Sequence, residues 1–144
     1  MKVFVMMSAY NEELTIDKVI KEIPKDYKIL VVDDGSKDNT YNVAKRAGAH
    51  YIIKNKKNLG LAQSFKRGLE ECLKLGANII VNTDADFQYN QKEIPKLVLP
   101  IIEGKADIVS GNRQVEKLSH MSKIKKYGNI LGSKVVKLST GNKI

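Results

Sequence analysis

Short apolar runs alternate along this chain with longer stretches in which apolar residues recur every three or four positions. The short runs are rich in valine and isoleucine, which is typical of β-strands, and the longer stretches have the period of amphipathic helices. Strands are predicted over residues 3–7, 27–32, 51–54, 78–82 and 106–110. Helices are predicted over residues 12–23, 38–47, 61–75, 92–102 and 119–138.

Residues that commonly begin or end helices support these boundaries. Asn11 is expected to cap the first helix, which Pro24 then ends. Gly48 and Gly76 follow the second and third helices, where a left-handed glycine often closes a helix. Pro95 falls in the first turn of the fourth helix, where a backbone N–H is not needed.

The alternation of strands and helices predicts an α/β fold with a mostly parallel sheet, because right-handed crossover helices connect parallel strands. In such sheets ligands bind beyond the carboxyl ends of the strands. Polar clusters follow four of the predicted strands: Asn11-Glu12-Glu13, Asp33-Asp34-Gly35-Ser36, Asp84-Ala85-Asp86 and Gly111-Asn112-Arg113. The expected convergence of these clusters on one crevice is the main indication of a functional site.

Two carboxylates stand together after the fourth predicted strand, at Asp84 and Asp86. In an extended segment residues i and i+2 point the same way, so both carboxylates can face one cation. Hard oxygen ligands that leave coordination positions open suit Mg²⁺ or Mn²⁺ shared with phosphate groups. Gln88 can add a neutral oxygen. The alternative is a turn in which an aspartate only caps the next helix.

The other clusters each allow two interpretations. Asp33 and Asp34 either form a structural turn or accept hydrogen bonds from a nucleobase or ribose. The small residues of Asn58-Leu59-Gly60-Leu61-Ala62 allow a ligand close to the backbone, but the segment is not a Walker A motif, and the chain lacks G-x-G-x-x-G. Arg113 either binds a diphosphate bidentately or lies on the surface.

The net charge of +9 over 144 residues favours polyanionic partners or an acidic membrane surface. Seven lysines and one glutamate lie within residues 114–144, a basic segment for which a solubilising face is the alternative. The single cysteine, Cys72, is expected in the core and indicates a reducing compartment. No apolar run reaches the ~18 residues of a membrane span. The apolar N-terminus is predicted to be a strand and not a signal peptide, so a cytoplasmic location is expected.

Five segments, in this order, resemble the family 2 glycosyltransferases of the GT-A fold, and among them the polyprenyl-phosphate (dolichol-phosphate) hexosyltransferases. The segments contain Ala9-Tyr10-Asn11-Glu12, Val32-Asp33-Asp34-Gly35-Ser36, Asn58-Leu59-Gly60, Asn82-Thr83-Asp84-Ala85-Asp86 and Gly111-Asn112-Arg113. The resemblance implies a Rossmann-like, mostly parallel sheet sandwiched by helices. Residues 1–113 would be the nucleotide-sugar-binding part, and residues 114–144 the basic, mainly helical start of an acceptor-side segment in the same domain.

The resemblance also implies roles for individual residues. The implied nucleotide-binding residues are Ala9, Tyr10, Glu12, Asp34, Gly60 and Asp84, with Asp34 on the base. The implied ligands of Mg²⁺ or Mn²⁺ are Asp84, Asp86 and Gln88. Asp86 and Arg113 would be catalytic, with Arg113 near the phosphates. Lys125 or Lys126 would meet the acceptor phosphate.

The implied reaction is inverting transfer of a hexose from a UDP- or GDP-sugar to a polyprenyl phosphate, peripherally at the cytoplasmic face of a membrane. No nucleic-acid partner is implied. One alternative is transfer to a sugar hydroxyl, which would need a general base, and another is a non-catalytic nucleotide-sugar-binding fragment. A nucleotidyltransferase is disfavoured because Ser8-Ala9-Tyr10-Asn11 stands where its glycine-rich loop would be.

Three features depart from the family pattern. Ser8 stands where family members usually have proline, and Asn112 where they often have serine or aspartate. Family members continue past a segment like Ser139-Thr140-Gly141 into an aspartate-bearing motif that ends in Ser-Gly-Phe-Arg, whereas this chain ends at Ile144. The expectation is therefore a C-terminally truncated GT-A chain that binds the donor nucleotide without turnover.

Overall fold

The computed structural model describes residues 1–111, of which Met1–Val109 form one compact unit. The strands of this part are β1 Val3–Ala9, β2 Lys28–Asp33, β3 Tyr51–Lys54 and β4 Ile79–Asp84. The helices are α1 Ile16–Glu22, α2 Thr40–Ala47, α3 Leu61–Lys74 and α4 Ile94–Ile102, with a 3-10 turn at Gln91–Glu93 before α4. The predicted α/β class is confirmed.

The four strands are all parallel and lie in the order β3-β2-β1-β4. The chain moves outward from β1 through β2 to β3, and α3 then carries it back across the sheet to β4 on the other side of β1. The strand order therefore reverses between β1 and β4. In open α/β sheets the ligand crevice lies at such a reversal, beyond the carboxyl ends of the strands.

The alternating side chains of β1 divide the core between the two faces of the sheet. Val5 and Met7 belong to an apolar cluster that residues of α1, α2 and α4 complete. Phe4 and Met6 belong to a second cluster on the opposite face, where Cys72 of α3 packs. β1 is buried on both faces, and this explains why apolar residues follow one another along it instead of alternating with polar ones.

Cys72 is a packing residue, as the sequence predicts. Its side chain is buried, and burial raises the pKa of the thiol to about 11. The thiol is therefore protonated and a poor nucleophile at neutral pH.

Glycines end two of the helices as predicted. Gly48 is the C-cap of α2 with a φ of 107°, and Gly76 follows α3 with a φ of 79°. Both values lie in the left-handed region, which glycine enters without the steric penalty of a Cβ atom.

The predicted start of the first helix is wrong. Asn11 has a φ of 58°, and its Oδ1 accepts a hydrogen bond from the backbone N–H of Lys37 rather than capping a helix. Thr15 occupies the cap position, and α1 begins at Ile16. The five residues between β1 and Thr15 instead form a loop that binds the neighbouring loop after β2.

The prediction of a fifth strand over residues 106–110 is also wrong, because these described residues do not form a strand. This segment pairs with no described strand, and Ile108 is 87% exposed. An apolar run forms a strand only where a neighbouring strand accepts its backbone hydrogen bonds. The predicted helix over residues 119–138 lies outside the described residues.

Among residues 1–111, no helix combines the length and the apolar character that a membrane span needs.

Candidate functional site

Polar side chains lie side by side along the carboxyl edge of the sheet. In the strand register, Lys54 of β3 stands beside Asp33 of β2, Asp33 beside Ala9 of β1, and Ser8 of β1 beside Asp84 of β4. The chain thus brings one lysine and two aspartates to the same edge, from strands that are far apart in sequence. The loops that follow these strands form the candidate site.

Asp34 fastens the loop between β3 and α3 to the end of β2. Its Oδ1 accepts hydrogen bonds from Asn55 Nδ2 at 2.7 Å and from the backbone N–H of Leu59 at 2.9 Å, and its Oδ2 accepts from the N–H of Gly60 at 2.9 Å. The side chain is 4% exposed. Burial alone would raise the pKa of Asp34, but the hydrogen bonds from Leu59, Asn55, Ser64 and Gly60 outweigh it and lower the pKa.

The sequence assigns Asp34 to the nucleobase, and that role stays a prediction. In this structure both carboxylate oxygens already accept hydrogen bonds from the chain itself. A base could bind Asp34 only in addition to these bonds or in exchange for one of them.

Asp33 lies deeper, with its side chain fully buried. Its Oδ1 accepts a hydrogen bond from the backbone N–H of Ser36 at 2.8 Å. Within residues 1–111 its Oδ2 has no hydrogen-bond partner, and it faces Lys54 Nζ at 3.7 Å. Asp33 therefore shapes the turn that contains Gly35, and Lys54 balances its buried charge.

The loops after β1 and β2 are joined by reciprocal hydrogen bonds. The backbone N–H of Asn11 donates to Ser36 Oγ at 3.0 Å, and Asn11 Oδ1 accepts from the N–H of Lys37 at 2.9 Å. The N–H of Glu12 donates to Thr40 Oγ1 at 2.8 Å. These bonds satisfy backbone groups that neither a helix nor the sheet uses, and they hold the two loops as one unit.

The residues predicted to line a nucleoside pocket lie on this joined pair of loops. Ala9 is buried at the end of β1, whereas the side chain of Tyr10 is 41% exposed. The Glu12 carboxylate accepts a hydrogen bond from Thr15 Oγ1 at 2.7 Å, so it also fixes the start of α1. Tyr10 is therefore the member of the predicted set that presents the largest side-chain surface to a ligand, while the roles of all three stay predictions.

The segment after β4 bends sharply around the predicted metal ligands. Asp84 and Asp86 are both partly exposed, Ala85 between them is buried, and Phe87 has a φ of 62°. Asp86 Oδ1 accepts a hydrogen bond from the N–H of Gln88 at 3.1 Å. The bend therefore brings the Gln88 backbone to Asp86, and the Gln88 side chain is exposed.

Two hard carboxylates suit a divalent cation that takes its remaining ligands from phosphate and water. The described residues contain no group of three or more His, Cys, Asp or Glu residues that could hold a metal by themselves. The donor set thus fits an ion that is shared with a bound diphosphate, and it does not fit a closed structural site.

Gly60 lies at the start of α3 with a φ of 87°, and a Cβ atom there would meet no atom of the described part of the chain within 4 Å. It therefore leaves open space beside the loop, as the predicted nucleotide contact requires. Arg113, Lys125 and Lys126 lie outside the described residues, and their predicted roles at the donor and acceptor phosphates stay predictions.

Three polar residues behind the loop escape prediction from the sequence. Asn55 is 1% exposed and Ser64 is fully buried, and Asn55 Nδ2 donates to Ser64 Oγ at 3.1 Å. The Arg67 guanidinium donates a hydrogen bond to Asn55 Oδ1. Asn55 stands in the polar run Lys54-Asn55-Lys56-Lys57, which is typical of a solvated loop, and only the packing of α3 against it makes it a buried residue.

The lowered pKa of Asp34 gives a testable pH dependence. A carboxylate whose folded pKa is lowered stabilises the fold fully above its unfolded pKa, about 3.9 for aspartate, and loses that contribution as pH falls through the folded pKa. We expect Asp34→Asn to lower the free energy of unfolding by roughly 1–3 kcal/mol at pH 7, because charge-assisted hydrogen bonds are lost. The difference from the wild type should shrink below about pH 4.

Urea unfolding at several pH values measures this difference. The control is Asp26→Asn, which removes one exposed carboxylate from the connection between α1 and β2. If Asp34→Asn lowered the free energy of unfolding equally at pH 7 and at pH 3, the charge on Asp34 would not be the cause of the loss.

Comparison with known proteins identifies the family. The model of the family described as Glycosyl transferase family 2 matches residues 4–139. A UDP-N-acetylglucosamine–dolichyl-phosphate N-acetylglucosaminyltransferase of Methanococcus voltae is 32% identical over 148 aligned residues, covering 89% of this chain and 59% of that protein. A dolichol-phosphate mannosyltransferase of Pyrococcus furiosus is 34% identical over 124 residues, covering 81% of this chain and 34% of that protein.

Solved structures give the same assignment. Glucosyl-3-phosphoglycerate synthase of Mycobacterium tuberculosis, in complex with Mn²⁺, UDP-glucose and phosphoglyceric acid, matches with a TM-score of 0.61 and 26% identity, over 72% of this chain and 40% of that one. The predicted GT-A fold is confirmed. The chain spans less than two thirds of the length of the curated relatives described above. With its family model, its relatives and its fold in agreement, the chain belongs to glycosyl transferase family 2.

Proposed function

We propose that this chain supplies the donor-binding part of a metal-dependent transferase, which moves a hexose from a UDP- or GDP-sugar to a polyprenyl phosphate with inversion. The observation that carries the proposal is the position of Asp84 and Asp86 after β4, at the reversal of strand order, beside the joined loops of β1 and β2. We further propose residues 1–113 as the donor part and residues 114–144 as the start of the acceptor side.

The described residues provide what a nucleoside diphosphate needs on three sides. Tyr10 offers an exposed aromatic surface near Asp33 and Asp34, the aspartates that we propose for the nucleoside end. Gly60 leaves room for a ligand beside the backbone. Asp84 and Asp86 stand on the other side of β1. Because unneutralised carboxylates repel phosphate, Asp34 suits the nucleoside end of the ligand, and Asp84 and Asp86 suit the diphosphate end with a cation between.

Mg²⁺ or Mn²⁺ at Asp84 and Asp86, with Gln88 nearby, would neutralise the charge that develops on the departing diphosphate. The chain's own contribution is orientation: the bend at Phe87 and the hydrogen bond from the Gln88 N–H hold Asp86 in place. We also propose Arg113 as a second positive group near the phosphates, on the strength of the family resemblance.

Two relatives named above act on dolichyl phosphate, and this supports a polyprenyl phosphate as the acceptor. A phosphate monoester with a second pKa of about 6 is already an anion at pH 7. One of its oxygens can form the bond to the anomeric carbon while the bond from that carbon to the diphosphate breaks, and no general base is required. Lys125 or Lys126 would hold the acceptor phosphate, and the lysines of residues 114–144 would favour a peripheral position on an anionic membrane.

The first experiment measures donor binding by calorimetry with UDP, GDP and their hexose derivatives in the presence of Mn²⁺. The second measures transfer of radiolabelled hexose to polyprenyl phosphate, with phosphoglyceric acid and a free sugar as the other acceptors. We expect binding of one nucleotide series and, where transfer occurs, polyprenyl phosphate as the acceptor.

The two measurements separate the parts of the proposal. Absence of binding to every nucleotide would contradict the donor site itself. Binding with transfer only to phosphoglyceric acid or to a sugar hydroxyl would keep the donor site and replace the acceptor class.

A further inference from the structure

A buried amide links α3 to the candidate site. Asn55 directly follows β3, is 1% exposed, and uses both ends of its side-chain amide: Nδ2 donates to Asp34 Oδ1 at 2.7 Å and to Ser64 Oγ at 3.1 Å, while Oδ1 accepts from Arg67. Its backbone N–H also donates to the carbonyl of Asp33 at 2.8 Å. Three hydrogen bonds therefore hold the side-chain amide, and a fourth holds the backbone of the same residue.

Arg67 holds the oxygen end of this amide. A guanidinium only donates hydrogen bonds, so it can bind only the oxygen of the Asn55 side chain. The nitrogen must then face Asp34 and Ser64, where it donates to a carboxylate that needs donors. The Asp34 carboxylate only accepts hydrogen bonds, so it favours the same orientation from the other end of the amide. Loss of Arg67 would leave the buried amide oxygen of Asn55 without this donor and would weaken the hold on the amide.

The orientation of the amide matters because Asp34 in turn holds the loop before α3. The carboxylate accepts the backbone N–H groups of Leu59 and Gly60, both at 2.9 Å. These bonds fix the backbone of the segment that is expected to lie against the nucleotide. Arg67 itself lies on the exposed side of α3, away from the two apolar clusters, so its contribution is not that of a core residue.

We propose that Arg67, acting through Asn55 and Asp34, is a positioning residue that presets the loop Lys57–Gly60 for donor binding. The inference rests on the proposed function in so far as it names the ligand. The positioning itself uses only groups of this chain, so it can be tested without a nucleotide.

The test without ligand is amide hydrogen exchange of Leu59 and Gly60, read residue by residue by NMR. Arg67→Met keeps an apolar stem of similar length and removes the donor, and it should speed exchange of both amides by at least about fivefold, since a buried hydrogen bond is lost. Arg67→Lys keeps a cationic donor and should restore slow exchange. The matched control Lys66→Met removes a neighbouring exposed charge and should change neither amide.

The test with ligand is calorimetric titration of UDP and GDP with Mn²⁺ present. Arg67→Met should weaken binding by about fivefold or more, and Arg67→Lys should recover most of the wild-type affinity, while amides of the central strands keep their slow exchange. Unchanged exchange in Arg67→Met, or equally fast exchange in Arg67→Met and Arg67→Lys, would overturn the relay.

The outcomes separate this inference from the proposed function. A wild-type chain that binds neither nucleotide would refute the proposed donor site and leave the exchange result to decide the relay alone. A wild-type chain that binds, with unchanged affinity in Arg67→Met despite faster exchange, would overturn the role of the relay in donor binding.

Discussion

Replacing Gly35 by alanine should lower the free energy of unfolding by roughly 2–5 kcal/mol, because two penalties add there. Gly35 has a φ of 74°, in the region that disfavours any residue with a Cβ atom. A Cβ atom at this position would lie 2.4 Å from the carbonyl carbon of Lys57 and 2.7 Å from the backbone nitrogen of Asn58. Backbone atoms cannot rotate away, so either the turn after β2 or the loop after β3 must move.

The control for this substitution is Gly48→Ala. Gly48 also has a positive φ, of 107°, but a Cβ atom there would meet nothing within 4 Å. It therefore carries the conformational penalty alone, about 1–2 kcal/mol. Chemical denaturation of both variants gives the comparison, and equal losses of stability would mean that the contact between the two loops is not tight in solution.

The centre of the sheet could be predicted from the sequence because β1 and β2 are buried on both faces. A run such as Ile29–Val32 has no polar position, and a strand between two layers of helices needs none. The bounds of β3 are predicted to the residue, since polar lysine and asparagine follow it at once. The order β3-β2-β1-β4 was not predicted, because parallel strands with similar apolar faces can be arranged in several orders.

The failed predictions share one cause, which is that the deciding partner lies elsewhere in the chain. Asn11 is a residue type that commonly caps helices. Here its backbone N–H donates to Ser36 and its side-chain oxygen accepts from Lys37, both in the neighbouring loop. Residues 106–110 have the composition of a strand, but no described strand pairs with them. Local pattern predicts what a segment can form, and the neighbouring loop or strand decides what it does form.

The candidate site was predicted in its position but not in its internal contacts. Clusters at strand ends follow directly from βαβ alternation, so the sequence places Asp34 and Asp84 correctly at one edge. The hydrogen bonds that Asp34 accepts from the loop before α3 are supported by Asn55 and by Arg67, a helix residue that lies 12 positions after Asn55. An arginine on a helix is usually a surface residue, and only its hydrogen bond to Asn55 connects Arg67 to the site. The sequence pattern gives no indication of this bond.

Asp86→Asn should abolish the dependence of nucleotide binding on a divalent cation. The wild-type chain is expected to bind UDP or GDP at least about tenfold more weakly in EDTA than in Mn²⁺, a difference of about 1.4 kcal/mol. Asp84 ends β4 and Asp86 lies two residues further on, and the described residues supply no third acidic, histidine or cysteine ligand. An ion held by so few protein ligands depends on each of them, so the loss of one carboxylate should bring the two affinities together.

Calorimetry in Mn²⁺ and in EDTA measures both affinities for the wild type, for Asp86→Asn and for the control Asp26→Asn. Asp26 precedes β2 at the opposite edge of the sheet, so its substitution makes the same change in net charge without touching the site. The control should keep the full response to the cation, which separates coordination from general electrostatics. Equal affinity of the wild-type chain in the two conditions would mean that the two aspartates serve the turn after β4 and hold no metal.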